Sequence, residues 1–415
     1  MIRKNRRFLE SVVLTMTVLF WAGEGRPALQ QCSPGSGSGT LTVSSFFELQ
    51  EAIANAKSGD EIVVAAGTYT GHLTLRASNV IVRAATPGSG VLRDTIIDVR
   101  GNDNILSSFS VEGASSIRIF GNSNRILANS FNNGIRTTKD VIAHIEILEN
   151  ASNNTVSYNE IANFRKRGIR IAPGKGLPQK NVISYNYIHD DVGAPLNGVE
   201  PIQIGVGAGD TAKNLGAIVE FNLVERTRVD GETISVKSSG NTIRNNTFAY
   251  GRGGPTLRVG SNNLFQNNTV INMQVVRIFG DNHRIIGNRL INTELQIPQG
   301  DATEDDVIRG AHGVHPAARN TQVAANTVTG KPLTVGGGRF SGYPASGTVL
   351  AENTANVRLL NNQVATTFHD NCDCNPGTPV QLSAGEVGPG RLSCAAMGIP
   401  VTKEQDLSKE AGASP

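Results

Sequence analysis

Aromatic residues are scarce in this chain, at 5% of 415 positions with a single tryptophan. Long amphipathic stretches of helical period are missing as well, which argues against an α/β enzyme built on packed helices. Past residue 25 no run is apolar enough to span a bilayer, so the mature chain is expected to have no membrane partner. Basic runs interleaved with aromatics are also absent, which speaks against nucleic acid as a partner. The formal charge is only +3. Residues 1–25 hold four Lys/Arg and two Glu, so the rest of the chain stands near +1. Cysteine is limited to Cys32, Cys372, Cys374 and Cys394. Cys372-x-Cys374 lacks the second ligand pair of a zinc site, leaving a local disulfide or free thiols.

What is present begins with a leader. Arg3, Lys4, Arg6 and Arg7 precede the 12-residue apolar stretch Ser11–Ala22, and Gly23-Glu24-Gly25 offers a small-x-small cleavage point. Residues 1–25 therefore read as a secretory signal peptide, with an uncleaved anchor as the alternative, and the mature chain is expected to be secreted or periplasmic.

Glycine is abundant, at 46 residues, and asparagine recurs in a pattern. A polar residue, usually Asn, is followed by mostly apolar positions and then by Asn-x-apolar. Examples are Asn124–Asn129, Asn154–Asn159, Asn181–Asn186, Asn241–Asn246, Asn263–Asn268, His283–Asn288 and Val357–Asn362. Successive second asparagines lie 30, 27, 36, 24, 22, 20, 38 and 36 residues apart. A period in the low twenties with insertions is the signature of a stacked solenoid carrying side loops. Asparagine tolerates left-handed corners and can bond to its equivalent in the next coil, while short Val/Ile/Leu residues fill a narrow interior. The expected fold is all-β, a single-stranded right-handed parallel β-helix spanning residues 40–370. An open rod end needs a lid, and Ser45-Phe-Phe-Glu48 reads as a capping box opening a short N-terminal helix. Residues 371–415 form a Cys/Gly/Pro-rich segment with a disordered tail. The Asn-x-Ser/Thr triplets at Asn150, Asn153, Asn245 and Asn267 follow from asparagine-rich corners, so glycosylation is not expected.

The chemistry concentrates in Val219–Gly260. Asp230 and Glu232 stand at alternate positions, which on an extended strand presents two carboxylates on one face. Such a pair repels unless a cation lies between, and all-oxygen ligation suits a hard ion such as calcium. Lys237 follows, and Arg258 lies 21 residues on, close to one coil, so the two are expected to stack on one face. A lysine of ordinary pKa, about 10.4, is a poor base at neutral pH, and neighbouring cations favour its neutral form.

The segments Asn197-Gly-Val-Glu200-Pro-Ile-Gln-Ile-Gly205, Asp230-Gly-Glu232, Lys237-Ser-Ser-Gly-Asn241, Leu257-Arg258-Val-Gly260 and Val276-Arg277-Ile-Phe-Gly280-Asp-Asn-His283 resemble polysaccharide lyase family 6, which holds alginate lyases and chondroitinase B. The opening Leu41–Leu75 resembles the family's first coil, and the resemblance covers roughly residues 40–370. It implies calcium-assisted β-elimination on a uronate polysaccharide. By motif, Asn197, Asp230 and Glu232 would hold Ca2+. Lys237 would be the base, Arg258 the acid or anion stabiliser, and Glu200, Arg277 and His283 would line the substrate subsites. The chain departs from the family pattern at Asp230 (usually Glu), Val236 (commonly Asn), Val259 (frequently His) and Gln203 (often Arg). No arginine cluster for sulfate stands out, which favours alginate over dermatan sulfate. A uronan C5 epimerase and a non-catalytic glycan-binding β-helix are the competing readings.

Overall fold

The structure is a computed structural model, which describes residues 39–132, 141–310, 315–340, 342–360, 366–369 and 376–391. The leader, all four cysteines, Asn362 and the last 24 residues lie outside the described residues.

Short strands of three to six residues follow one another from Thr40–Val43 to Thr367–His369, and every named strand pairs in parallel with its counterparts one coil before or after. They form three sheets of 14, 12 and 11 strands running the length of a right-handed parallel β-helix. Inward positions carry Ile, Val, Leu and Phe with essentially no exposure, as in Ile126, Phe131, Ile183, Ile234, Phe248 and Ile285. Each such side chain stabilises the rod by roughly 1.5–3 kcal/mol. Among the described residues every strand is covered on both edges by its neighbours except those that end the three sheets.

The N-terminal end is closed by the helix Phe46–Asn55. Ser45 caps it by accepting from the Glu48 backbone N–H at 3.2 Å, while the Glu48 carboxylate reaches back to Ser44 rather than to Ser45. Leu49, Ala52 and Ile53 form its buried face.

Asparagines fasten the coils. Asn129, Asn159, Asn186, Asn222, Asn246, Asn268, Asn288 and Asn326 are buried, and each accepts from the backbone of the residue one coil earlier, as where Asn246 N–H donates to Asn268 Oδ1 at 3.0 Å. Their amides donate onward, Asn246 Nδ2 to the same Asn268 oxygen at 3.0 Å. Among the described residues the last rung runs from Asn326 to Asn353. The left-handed residue of each corner is the one before the ladder asparagine: Ala128, Tyr158, Tyr185, Phe221, Asn245 and Asn267, with φ between 52° and 57°. Asparagine is needed for its amide, and the corner imposes its strain on the predecessor, roughly 1–2 kcal/mol for a non-glycine residue. Tyr158, Tyr185 and Phe221 stack there with ring centroids 4.8 and 5.1 Å apart.

Candidate active site

The site lies on the 12-stranded sheet, where the strands Ile202–Ile204, Glu232–Lys237, Gly254–Val259 and Val275–Ile278 succeed one another. Parallel register puts Gln203, Ser235, Thr256 and Arg277 in one row. The alternate residues Ile202, Ile204, Ile234, Val236, Leu257 and Ile278 pack inside.

Lys237 is fixed from below. Its Nζ lies 3.3 Å from Glu200 Oε1, an atom that also accepts from Gln203 Nε2 at 2.9 Å. Glu200 itself has no exposed surface. Burial pushes its carboxyl up, but the charges of Arg167 and Lys237 outweigh burial and hold it below the usual carboxylate range. Arg167 Nε stands 3.0 Å from Glu200 Oε2 but is not aligned for a hydrogen bond, so that oxygen is buried without a donor. Backbone room for the lysine comes from Gly205, at φ +80°: a Cβ there would sit 2.6 Å from the Lys237 carbonyl oxygen and 3.3 Å from Lys237 Cβ.

Arg258 occupies a bulge. Val236 pairs with Leu257 and Lys237 with Val259, which leaves Arg258 as the extra residue between them. The expected stacking of Lys237 and Arg258 is therefore offset by one position; bulges of this kind re-aim a side chain at a functional site. Arg258 Nη1 lies 3.6 Å and Arg277 Nη2 3.5 Å from Glu232 Oε1, while Ser235 Oγ bonds to Glu232 Oε2. Arg277 also donates to Thr256 Oγ1 and the Gly231 carbonyl, each at 3.2 Å.

Asp230 sits on a bend before the strand, not on the strand itself. Its Oδ2 accepts from the Gly198 and Val199 N–H groups at 2.7 and 3.1 Å, and its Oδ1 from the Glu232 N–H at 3.0 Å. The two acids are thus not presented by strand alternation: Asp230 binds backbone amides of the turn, and Glu232 meets Arg258, Arg277 and Ser235. Burial, followed by the nearby charge of Glu200, raises the Asp230 carboxyl above its ordinary range. No ion pair neutralises Asp230 among the described residues, and the neighbouring Glu200 Oε2 makes no hydrogen bond. Asp230 is thus the acid here without an ion pair, and its oxygen donors suit a hard cation. Glu232 is already paired with Arg258 and Arg277, and no group of three acidic, His or Cys side chains that could hold a metal occurs among the described residues. Asn197 is exposed and precedes Gly198, whose amide Asp230 binds.

Two substrate assignments from the sequence are corrected. His283 is fully buried in the asparagine ladder: Nδ1 accepts from the Asn263 N–H at 3.1 Å and Nε2 faces the Phe279 carbonyl at 2.8 Å. The imidazole reproduces the acceptor and donor of an asparagine amide. Glu200 lies beneath Lys237 without surface of its own. Of two departures, Val236 turns into the core, while Val259, in register with Lys237, packs outside it in a separate cluster with Ala302 and Val307. Gln203 is held by Arg170 Nε at 3.1 Å, so an arginine one coil earlier occupies this part of the sheet, itself paired to Glu146.

Sequence reading missed Arg167, Arg170, His315 and Arg339. Arg167 and Arg170 belong to a Lys/Arg-rich strand, a signal that could have marked them. Nothing local distinguishes Arg339, yet its charge reaches Arg277, which in turn feels Arg258. An arginine cluster that the sequence does not display is thus assembled from separate coils.

A family model described as chondroitinase B matches residues 43–301, more than half of the chain. No curated protein matches the sequence. Among solved structures, a PL6 alginate lyase in complex with a trisaccharide is 19% identical over 80% of this chain and 85% of its own, with a TM-score of 0.69. A PL6 polysaccharide lyase from Pseudopedobacter saltans is 18% identical over 85% and 99%, with a TM-score of 0.67. A mannuronic acid-specific family 6 lyase from human gut microbiota is 19% identical over 78% and 82%, with a TM-score of 0.65. At these identities the likeness establishes the fold.

Proposed function

This chain belongs to the chondroitinase B family, within polysaccharide lyase family 6, and from that premise we propose that it cleaves a uronate polysaccharide, alginate, by β-elimination. The observation that carries the reading is a primary amine, Lys237, held by a buried carboxylate on the strand next to the one that bulges at Arg258.

In the proposed reaction Lys237, after passing its own proton from the Glu200 pair to solvent, takes the C5 proton of the uronate. The electron pair of that C–H bond forms the C4=C5 double bond as the C4–O bond breaks. Arg258 stabilises the departing oxygen, which takes its proton from water, and Arg277 faces the substrate anion. Glu200 orients the amine, and Arg167 offsets part of its charge. Calcium, held by Asp230 and Glu232 with Asn197, would neutralise the uronate carboxylate and acidify the C5–H bond. A calcium-dependent rise in melting temperature, reversed by chelator and lost in Asp230→Asn, checks this donor set without relying on turnover. The leader carries the proposal of export, which the N-terminal sequence of protein recovered outside the cell checks.

Alginate, its mannuronate and guluronate blocks and dermatan sulfate, assayed for an unsaturated product absorbing in the ultraviolet, test the activity. Lys237→Ala is expected to remove turnover entirely with the fold retained; a fully active variant would remove Lys237 from its role. An altered uronate ratio without chain cleavage would indicate the epimerase, and binding with neither change a glycan-binding protein. The gathering of Arg258, Arg277 and exposed Arg339 supports a second substrate, a sulfated uronan such as dermatan sulfate.

A further inference from the structure

Residues 315–319 close over the end of the Val275–Ile278 strand, where the Gly280 N–H donates to the Pro316 carbonyl and the Arg319 N–H to the Gly280 carbonyl, each at 3.1 Å. The segment brings His315 against Phe279, with ring centroids 5.2 Å apart, and against Phe340, stacked at 4.5 Å. Phe279 continues the ladder beside Arg258, its N–H donating to the Leu257 carbonyl at 2.8 Å. Neither His315 nor Phe340 belongs to a motif, and neither has a part in the chemistry above.

We infer that His315 contacts the substrate, its imidazole Nε2 accepting a hydroxyl of the sugar unit next to the scissile bond, with Asp301 as its positioning residue. The inference rests on the uronan reading and extends that site. Two donors of His315 meet the Asp301 carboxylate: the backbone N–H reaches Oδ1 at 2.8 Å and Nδ1 reaches Oδ2 at 3.3 Å. A carboxylate only accepts, so Nδ1 carries the proton and Nε2 presents a lone pair. That nitrogen has no partner among the described residues, and the side chain keeps 13% of its surface exposed. A satisfied core histidine, such as His283, uses both nitrogens. Burial, with the Arg258 charge behind it, holds the His315 ring below the usual imidazole range, so Nε2 remains an acceptor at neutral pH. Phe340, with the Arg339 guanidinium 5.5 Å from its centroid, completes a wall with a flat apolar face, an acceptor and cations. Those are the features that a sugar ring, its hydroxyls and its carboxylate present in complement.

The test is binding of intact oligosaccharides to full-length Lys237→Ala protein by calorimetry, using trimannuronate, triguluronate and a dermatan sulfate tetrasaccharide. Adding His315→Phe keeps the ring stack and removes the acceptor. The expected result is affinity about tenfold weaker, the loss of one hydrogen bond, at an unchanged melting temperature. Asp301→Asn, which removes the charge fixing the tautomer, should weaken binding partway and convert the His315 15N spectrum to a tautomer mixture. Unchanged affinity in His315→Phe would overturn the inference alone. So would a lower melting temperature in that variant if its folded fraction binds as before. Should Lys237→Ala bind none of the three sugars, the uronan reading and the inference fall together.

Discussion

Glu200 has no surface of its own, yet the position of Lys237 depends on it. The carboxylate meets two cations, Arg167 and Lys237, and accepts from Gln203, so its removal strands both charges in a buried setting. Losing one partner of a buried pair costs about 3 kcal/mol or more. Glu200→Gln is therefore expected to lower unfolding free energy by about 3 kcal/mol in urea titration and to reduce kcat at least tenfold. A loss below about 1 kcal/mol would show that Arg167 and Lys237 find other partners. Lys237 and Arg258 were legible from their motifs. Glu200 was legible as a residue of the site but not in its role, because burial beneath a neighbouring coil's side chain leaves no trace in spacing.

The asparagine ladder operates at the scale of elements. Its rungs repeat in sequence because each coil needs one amide to tie its corner to the next, and this made the fold readable. His283 replaces an amide there and is held neutral, its pKa pushed down to about 4 by burial. The sign follows from linkage: below the ordinary imidazole value of about 6.5 the unfolded chain binds a proton that the folded chain refuses. Stability attributable to His283 is thus complete above about pH 6.5 and is lost as pH falls toward about 4. His283→Asn should keep both ladder bonds and abolish that loss, so its melting temperature should exceed that of the parent at about pH 4.5 and match it at about pH 8. A deficit at both pH values would mean that the ladder does not accept asparagine at this rung. The Arg258 bulge was not legible in the same way, since one extra residue in a three- to six-residue strand does not disturb an apolar pattern already broken by insertions.

Across the whole molecule, a buried acid joins segments that are distant in sequence. The short helix Glu304–Ile308 packs near Ala208–Asp210, and Glu304 is buried against Gly260 and Ser261 of an earlier coil. Burial, then the charge of Asp281, raises the Glu304 carboxyl to about 7, and its Oε2 has no hydrogen-bond partner. Between about pH 4.5 and 7 the unfolded chain releases this proton while the folded chain keeps it, so stability falls through that window and is level above it. Glu304→Gln should be worth on the order of 2–3 kcal/mol at about pH 8 and little at about pH 4.5. Melting curves at the two pH values check this, and an equal effect at both would place the cause in packing.

The sequence alone determined the rod, its capped beginning and the two successive coils carrying Asp230, Glu232 and Lys237 and then Arg258, because each depends on period, alternation or a contiguous motif. Only the tertiary structure decided which side chains face the sheet and which lie beneath it, where the bulge aims Arg258, and that Arg339, Phe340 and His315 reach the same neighbourhood. The physical reason is that coils of 20 to 38 residues share one strand spacing along the axis. Insertions are then forced sideways, and which of them meet is set by stacking, a quantity that no local stretch of sequence encodes.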